Sequence, residues 1–107
     1  MAEEMWVLEG PQPAREGEIL LPSIAYSGFT AVSSGATTAY KNHVDVSTAV
    51  LTGTDTTTGN VHNLKTFTVP AGYGGSKVVL ESKVDVEGGA SIKCGIEFRI
   101  LKPGQEM

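Results

Sequence analysis

The sequence holds a single cysteine, Cys94, so no internal disulfide can staple the chain. No stretch approaches the ~20 consecutive apolar residues that cross a bilayer. The opening MAEEMWVLEG lacks the basic start and apolar run of a signal peptide, so no membrane partner is expected and first folding in a cytoplasm is. Basic residues are also scarce, with eight Lys and Arg against twelve Asp and Glu. Nucleic-acid binding rests on many phosphate-neutralising cations, and that partner is excluded as an expectation. Nor does any segment show a 3.6-residue apolar stripe with caps, which leaves helix a minor part of the fold.

What the sequence does have is Thr, Ser, Gly and alternation. From Ser76 to Glu87, Val78, Leu80, Val84 and Val86 fall on one side and Lys77, Glu81, Lys83 and Asp85 on the other. From Ser91 to Leu101, Ile92, Cys94, Ile96, Phe98 and Ile100 face one way and Lys93, Glu97 and Arg99 the other. A period of two sustained twice, with Gly88 and Gly89 between, predicts an antiparallel hairpin in which Cys94 is a small buried apolar residue. Pairing Val86 with Cys94 sets Glu87 opposite Lys93, Lys83 opposite Glu97 and Glu81 opposite Arg99. Such complementary pairs contribute roughly 0.2–1 kcal/mol each. Pairing Val86 with Ile92 instead would set Glu81 against Glu97, so the first register is the expected one.

Two further strands are predicted at His43–Leu51 and Val61–Val69, joined by a Thr-rich loop. A short strand at Glu18–Pro22 is ended by Pro22, and one more is expected around Phe29–Val32. The expected fold class is all-β: a small antiparallel β-sandwich or jelly roll of about six to eight strands. It occupies residues 18–107 as one domain and carries an extended N-terminal arm, residues 1–17. Residues 1–18 hold five Glu against Arg15 alone, which leaves seven acids and seven bases in a neutral body. Gly10, Pro11 and Pro13 deny the arm a helix. Its apolar cluster of Met5, Trp6, Val7 and Leu8 is too small to bury itself. These four, with Pro11 and Pro13, are the candidate partner-binding residues.

The stretch AGYGGSK, Ala71 to Lys77, invites a phosphate-loop reading. A phosphate loop of that type runs Gly, four residues, Gly-Lys-Ser/Thr and then a helix. Here Ser76 precedes Lys77 and a strand pattern follows, so the stretch predicts a turn. His43 and Asp45 share a strand face and His62 lies on the next strand, which offers two imidazoles and a carboxylate but no fourth ligand. Ser47 or Ser33 as nucleophile lacks a Gly-x-Ser-x-Gly elbow. Glu81 and Glu97 lie beside bases, which lowers rather than raises a carboxyl pKa. No metal, no cofactor and no enzymatic activity are therefore expected. Phe67 and Phe98 fall on inward positions, while Tyr26, Tyr40 and Tyr73 remain to stack on a sugar. Tyr40 and Tyr73 are the candidate ligand platform.

The run KTFTVPAGYGGSKVVLESKVDVEGGASIKCGIEFRIL resembles the C-terminal half of small jelly-roll modules, in which a strand ends in Val-Pro, a Gly-Tyr turn follows and a long hairpin completes the sheet. With the arm, the Thr/Gly/Ser bias and the neutral body, the chain resembles a virion protein of a tailed bacteriophage, in the style of the capsid decoration or cement proteins. The resemblance implies a structural protein on the capsid surface that binds the major capsid protein or another virion protein. It also implies a homo-oligomer, a trimer. The alternative is a carbohydrate-binding jelly-roll module of a phage fibre or a polysaccharide-active protein.

Overall fold

The computed structural model describes residues 6–7, 12–102 and 104, with residues 6 and 7 described by their backbone alone. In chain order the strands are β1 (Trp6–Val7), β2 (Gln12–Arg15), β3 (Ile19–Leu20), β4 (Ser23–Ala25), β5 (Val32–Lys41), β6 (Val44–Asp45), β7 (Leu51–Thr52), β8 (Thr56–Thr58), β9 (Val61–Asn63), β10 (Thr66–Thr68), β11 (Lys77–Val86) and β12 (Ser91–Leu101), with one helical turn, α1 (Ser47–Val50). The fold is all-β, as the alternation predicts.

The larger sheet runs β12, β11, β5, β6, with β1 and β2 both laid parallel along the outer edge of β12. Trp6 stands opposite Cys94, and Gln12 opposite Phe98. Those described stretches of the arm are extended, as expected, and the surface they pair with is the chain's own sheet. Residues 6–7 and 12–15 of the arm therefore add to the edge of the sandwich, and Ala14 joins the core.

The β11–β12 hairpin forms, with its inward residues buried as expected except Ile92 and Ile96, which are half-buried, but in a different register. Val84 faces Ile92, Ser82 faces Cys94, Leu80 faces Ile96 and Val78 faces Phe98. Lys83 consequently opposes Lys93, and Lys77 opposes Arg99, in place of the complementary pairs. Two observations explain the correction. The turn closes tightly on Gly88 and Gly89, both at positive φ, with the Val86 amide donating to Ala90 O (2.9 Å). Glu87, meanwhile, is used elsewhere: its carboxylate accepts the amides of Thr30 (3.2 Å) and Ala31 (3.2 Å), which holds its pKa below the usual carboxylate range.

The smaller layer consists of two three-stranded sheets in line with each other. β3–β10–β7 and β4–β9–β8 are stacked along the same three passes of chain. Leu20 faces Phe67, but Ser23 faces Asn63, so one extra residue stands on the β9–β10 side, a bulge at Lys65–Thr66. The pass from Glu18 to Tyr26 itself stays regular: Glu18 O accepts from Val69 N (3.0 Å), Pro22 O from Leu64 N (3.0 Å), and Tyr26 N donates to Asn60 O (2.8 Å).

The two layers close over one core in which Phe67 and Phe98, predicted inward, meet with ring centroids 5.2 Å apart. Two predicted strands are corrected. The span 43–51 breaks at α1, because the Asp45 carboxylate accepts both the amide (2.9 Å) and hydroxyl (2.7 Å) of Ser47 and turns the chain. The strand expected near 29–32 instead starts at Val32 and continues to Lys41. Its small residues read as a turn, yet they suit a central strand packed closely on the opposing layer.

Candidate functional site

The inner face of the larger sheet carries one polar row. Thr37 on β5, Ser82 on β11 and Cys94 on β12 stand side by side in register, flanked on either side by aliphatic rows. The smaller layer places three polar residues over that row. Tyr26, just after β4, sets its hydroxyl 2.6 Å from Ser82 Oγ. His62, in the middle of β9, sets Nδ1 2.6 Å from the same oxygen. Asp55, before β8, sits 2.8 Å from His62 Nε2 through Oδ1, while its Oδ2 accepts from Lys65 Nζ at 2.6 Å. Thr37 Oγ1 also donates to Asp55 Oδ1 and accepts the Lys65 amide at 3.2 Å.

The chemistry of the groups fixes the direction of this chain. The carboxylate can only accept, so His62 Nε2 carries a proton, and in the neutral imidazole Nδ1 is then the acceptor for Ser82. Ser82 Oγ in turn accepts from Tyr26. Every hydrogen therefore points from Tyr26 through Ser82 and His62 to Asp55. Ser82 and His62 are fully buried, and no buried side-chain donor or acceptor among the described residues lacks a partner. Burial works to raise the Asp55 pKa, but the hydrogen bonds from Lys65, Thr37 and His62 outweigh it and leave the carboxyl below its ordinary range. Burial pushes the Tyr26 phenol up to about 12, and it also raises the neighbouring Cys94 thiol.

Ser82, His62 and Asp55 are the residue types of a hydrolytic triad, with Ser82 bonded through Nδ1 and Asp55 through Nε2. Here the serine hydroxyl is spent as an internal link. Surface grooves of about 350, 280 and 190 Å³ border none of Ser82, His62 or Tyr26. The packing around the imidazole is just as closed: a methyl group on Gly35 of β5 would meet the ring of His62 at 2.5 Å. The arrangement ties the two layers together at one polar point in an aliphatic interior.

The sequence-derived candidates fall elsewhere. His43 is exposed in the turn after β5, Asp45 is bonded to Ser47 at the start of α1 and His62 is in the core. Among the described residues no three metal-ligating side chains come together. Tyr40 and Lys41 follow each other on β5 and point to opposite faces. Lys41 Nζ lies 5.1 Å from the Tyr73 ring, which packs on the core, so Tyr40 and Tyr73 lie on opposite sides of the sheet and form no common platform. The AGYGGSK stretch is a turn, as expected. Its amides are already bonded, Gly74 N to Glu16 Oε2 (2.8 Å), Gly75 N to Ile100 O (2.7 Å) and Ser76 N to Tyr73 O (3.0 Å). Of the arm candidates, Met5, Leu8 and Pro11 lie outside the described residues. Trp6 and Val7 pair by backbone with β12, and Pro13 is exposed on β2 opposite Arg99.

Alternation along the sequence misses the polar row for a definite reason. Five residues separate His62 from Phe67, so a regular strand would put them on opposite faces. The bulge at Lys65–Thr66 resets the phase and turns both inward. Ser82 was a legible signal: it is the one polar residue in the inward series Val78, Leu80, Ser82, Val84, Val86. Compared with protein-family models, curated proteins and solved structures, the chain matches none.

Proposed function

We propose that the chain is a structural virion protein that decorates and stabilises a bacteriophage capsid, binding capsid subunits and copies of itself at the capsid surface. The observation that carries this reading is where the apolar surface lies. The large hydrophobic side chains left exposed among the described residues, Ile19, Leu21 and Val44, all stand at sheet margins, beside β3 and on β6. Those are places where backbone donors and acceptors are open as well, which suits attachment by strand addition. The N-terminal segment shows how such attachment works within one chain, since it adds to β12 by backbone pairing in two short stretches. On a capsid, many such weak contacts repeated by symmetry give firm occupancy. No catalytic step enters this role. The jelly-roll resemblance agrees with the role but adds no residue to it.

The test is co-sedimentation of the full chain with undecorated tailed-phage capsids, followed by imaging of the shells. Stoichiometric, symmetric occupancy is expected. A truncation that ends at residue 10, and so leaves β2 and the buried Ala14 in place, is expected to lower that occupancy if Met5, Trp6, Val7 and Leu8 serve as anchors. Absence of binding to capsids, together with binding to a glycan array that is lost in Tyr40→Ala or Tyr73→Ala, would replace this reading with the carbohydrate-binding one.

A further inference from the structure

The four margins of the sandwich are not alike. On the larger sheet one margin is covered by β1 and β2, and the other is the two-residue β6. On the smaller layer one margin is the Thr-rich pass through β7 and β8, interrupted by Gly53 and carrying Asp55. The remaining margin, residues 19–25, is regular, and its sequence Ile-Leu-Leu-Pro-Ser-Ile-Ala has no charged side chain. Among the described residues β3 and β4 each have a strand neighbour on one side only. Folded proteins protect such edges with charge, bulges, short strands or cover. Among the described residues this edge has no charged side chain, no bulge and no covering strand; its protection is limited to the shortness of β3 and β4 and to Pro22 between them.

Its backbone direction can be read from the bonds already made. Glu18 O, Pro22 O and Tyr26 N point at the β9–β10 pass, so the even-numbered residues face inward across the ladder. The amides and carbonyls of Ile19, Leu21, Ser23 and Ala25 therefore face the open side. Pro22, which has no N–H, falls on an inward position and removes nothing from the edge. The side chains of the same odd-numbered residues are exposed, Ile19 by 67% and Leu21 by 79%.

We infer that residues 19–23 are the centre of a self-association edge, at which a second copy of this chain adds the same residues antiparallel about a two-fold axis through Leu21. This assigns a surface to the self-association in the virion reading and rests on that reading for its biological use. In this register Leu21 opposes Leu21 of the second copy and Ile19 opposes its Ser23, so every outward amide from 19 to 23 finds a carbonyl. On the outer face the two Leu21 side chains meet, with each Ile19 diagonal to them. On the inner face Leu20 opposes Pro22 of the second copy, which joins two mainly apolar grooves of about 350 Å³, in each of which Gln12 and Ser23 stand beside Pro13, Leu20, Leu21, Pro22, Ile96 and Phe98. With no charge on the strand, self-pairing meets no like-charge penalty. One edge of five paired residues buries less than the roughly 1,200–2,000 Å² of a stable interface. The pair is therefore weak in solution and firm only where copies are held together on a surface. It makes a dimer, in place of the trimer that the resemblance implies.

The experiment is sedimentation velocity on the isolated full chain from low micromolar to near-millimolar concentration, with circular dichroism to confirm folding. Wild type is expected to pass from monomer to dimer. Leu21→Lys places two ammonium groups face to face on the axis and is expected to weaken the dimer by about 100-fold or more. Ser23→Pro removes one outward N–H without touching the inward ladder and is expected to weaken it as well, whereas Ser23→Ala and Val44→Lys leave it unchanged. A chain that stays monomeric throughout, or an oligomer indifferent to Leu21→Lys and Ser23→Pro, overturns the inference. So does loss of the dimer in Leu21→Lys with no effect of Ser23→Pro, since that outcome marks an apolar contact rather than strand pairing. A monomer that still coats capsids removes the edge pairing and leaves the virion reading standing, while a dimer that binds no capsid does the reverse.

Discussion

The two layers of the sandwich solve the same problem in different ways. The larger sheet is long-stranded and, apart from the row Thr37, Ser82 and Cys94, aliphatic inside, and its margins are short or covered. The smaller layer is broken by a bulge, brings His62, Asp55 and Tyr26 into the interior, and leaves residues 19–25 open. The difference separates rigidity from attachment. The polar groups that look reactive on paper are consumed in joining the layers, and the plain apolar edge is what remains available to a partner.

The join can be broken hardest at His62. His62→Ala removes a buried ring and takes one hydrogen-bond partner from each of Ser82 and Asp55, and equilibrium denaturation is expected to show a loss of ~3 kcal/mol. Next comes Gly35→Ala, whose methyl would stand 2.5 Å from the imidazole. Overpacking of that kind is expected to cost ~2–3 kcal/mol, and the loss should shrink in the His62→Ala background, where the ring is gone.

Alkaline unfolding sharpens the comparison further. The folded chain holds the Tyr26 phenol protonated up to about 12, against about 10 for an ordinary tyrosine. Its contribution is complete below pH 10 and is lost as the pH rises towards 12, with a slope of up to ~1.4 kcal/mol per pH unit. Tyr26→Phe should flatten that part of the stability profile; a profile identical to wild type would show that Tyr26 does not titrate as described. The smallest effect belongs to the larger sheet. Lys83→Thr removes the repulsion with Lys93 across the hairpin and is expected to raise stability by ~0.5 kcal/mol at low salt, with the gain fading as salt is added.

How much of this could be read from the sequence divides along the same line. The long hairpin, the inward Phe67 and Phe98, the buried Cys94 and the turn at AGYGGSK all follow from residue types acting locally, and these are the features that sequence reading placed correctly. Its register did not follow, because Glu87 is bound to a loop some 56 residues away in the chain, at Ala31. The strand at 32–41 was hidden because Ser, Gly, Ala and Thr signal a turn until the opposing His62 explains why the residues must be small. The polar row stayed hidden behind a one-residue bulge that no periodicity announces. The open edge was half legible: Glu18–Pro22 read as a short strand ended by Pro22, but only the ladder shows that Pro22 points inward and leaves the margin intact.

Residue-resolved hydrogen exchange on the full chain, at low and at high protein concentration, tests the edge most directly. The amides of Ile19, Leu21 and Ser23 are expected to exchange freely when dilute and to become protected when concentrated, while those of Val78 to Val84 stay protected throughout. Protection of the three amides that is absent at every concentration, or present equally when dilute, would contradict a free edge that pairs with a second copy.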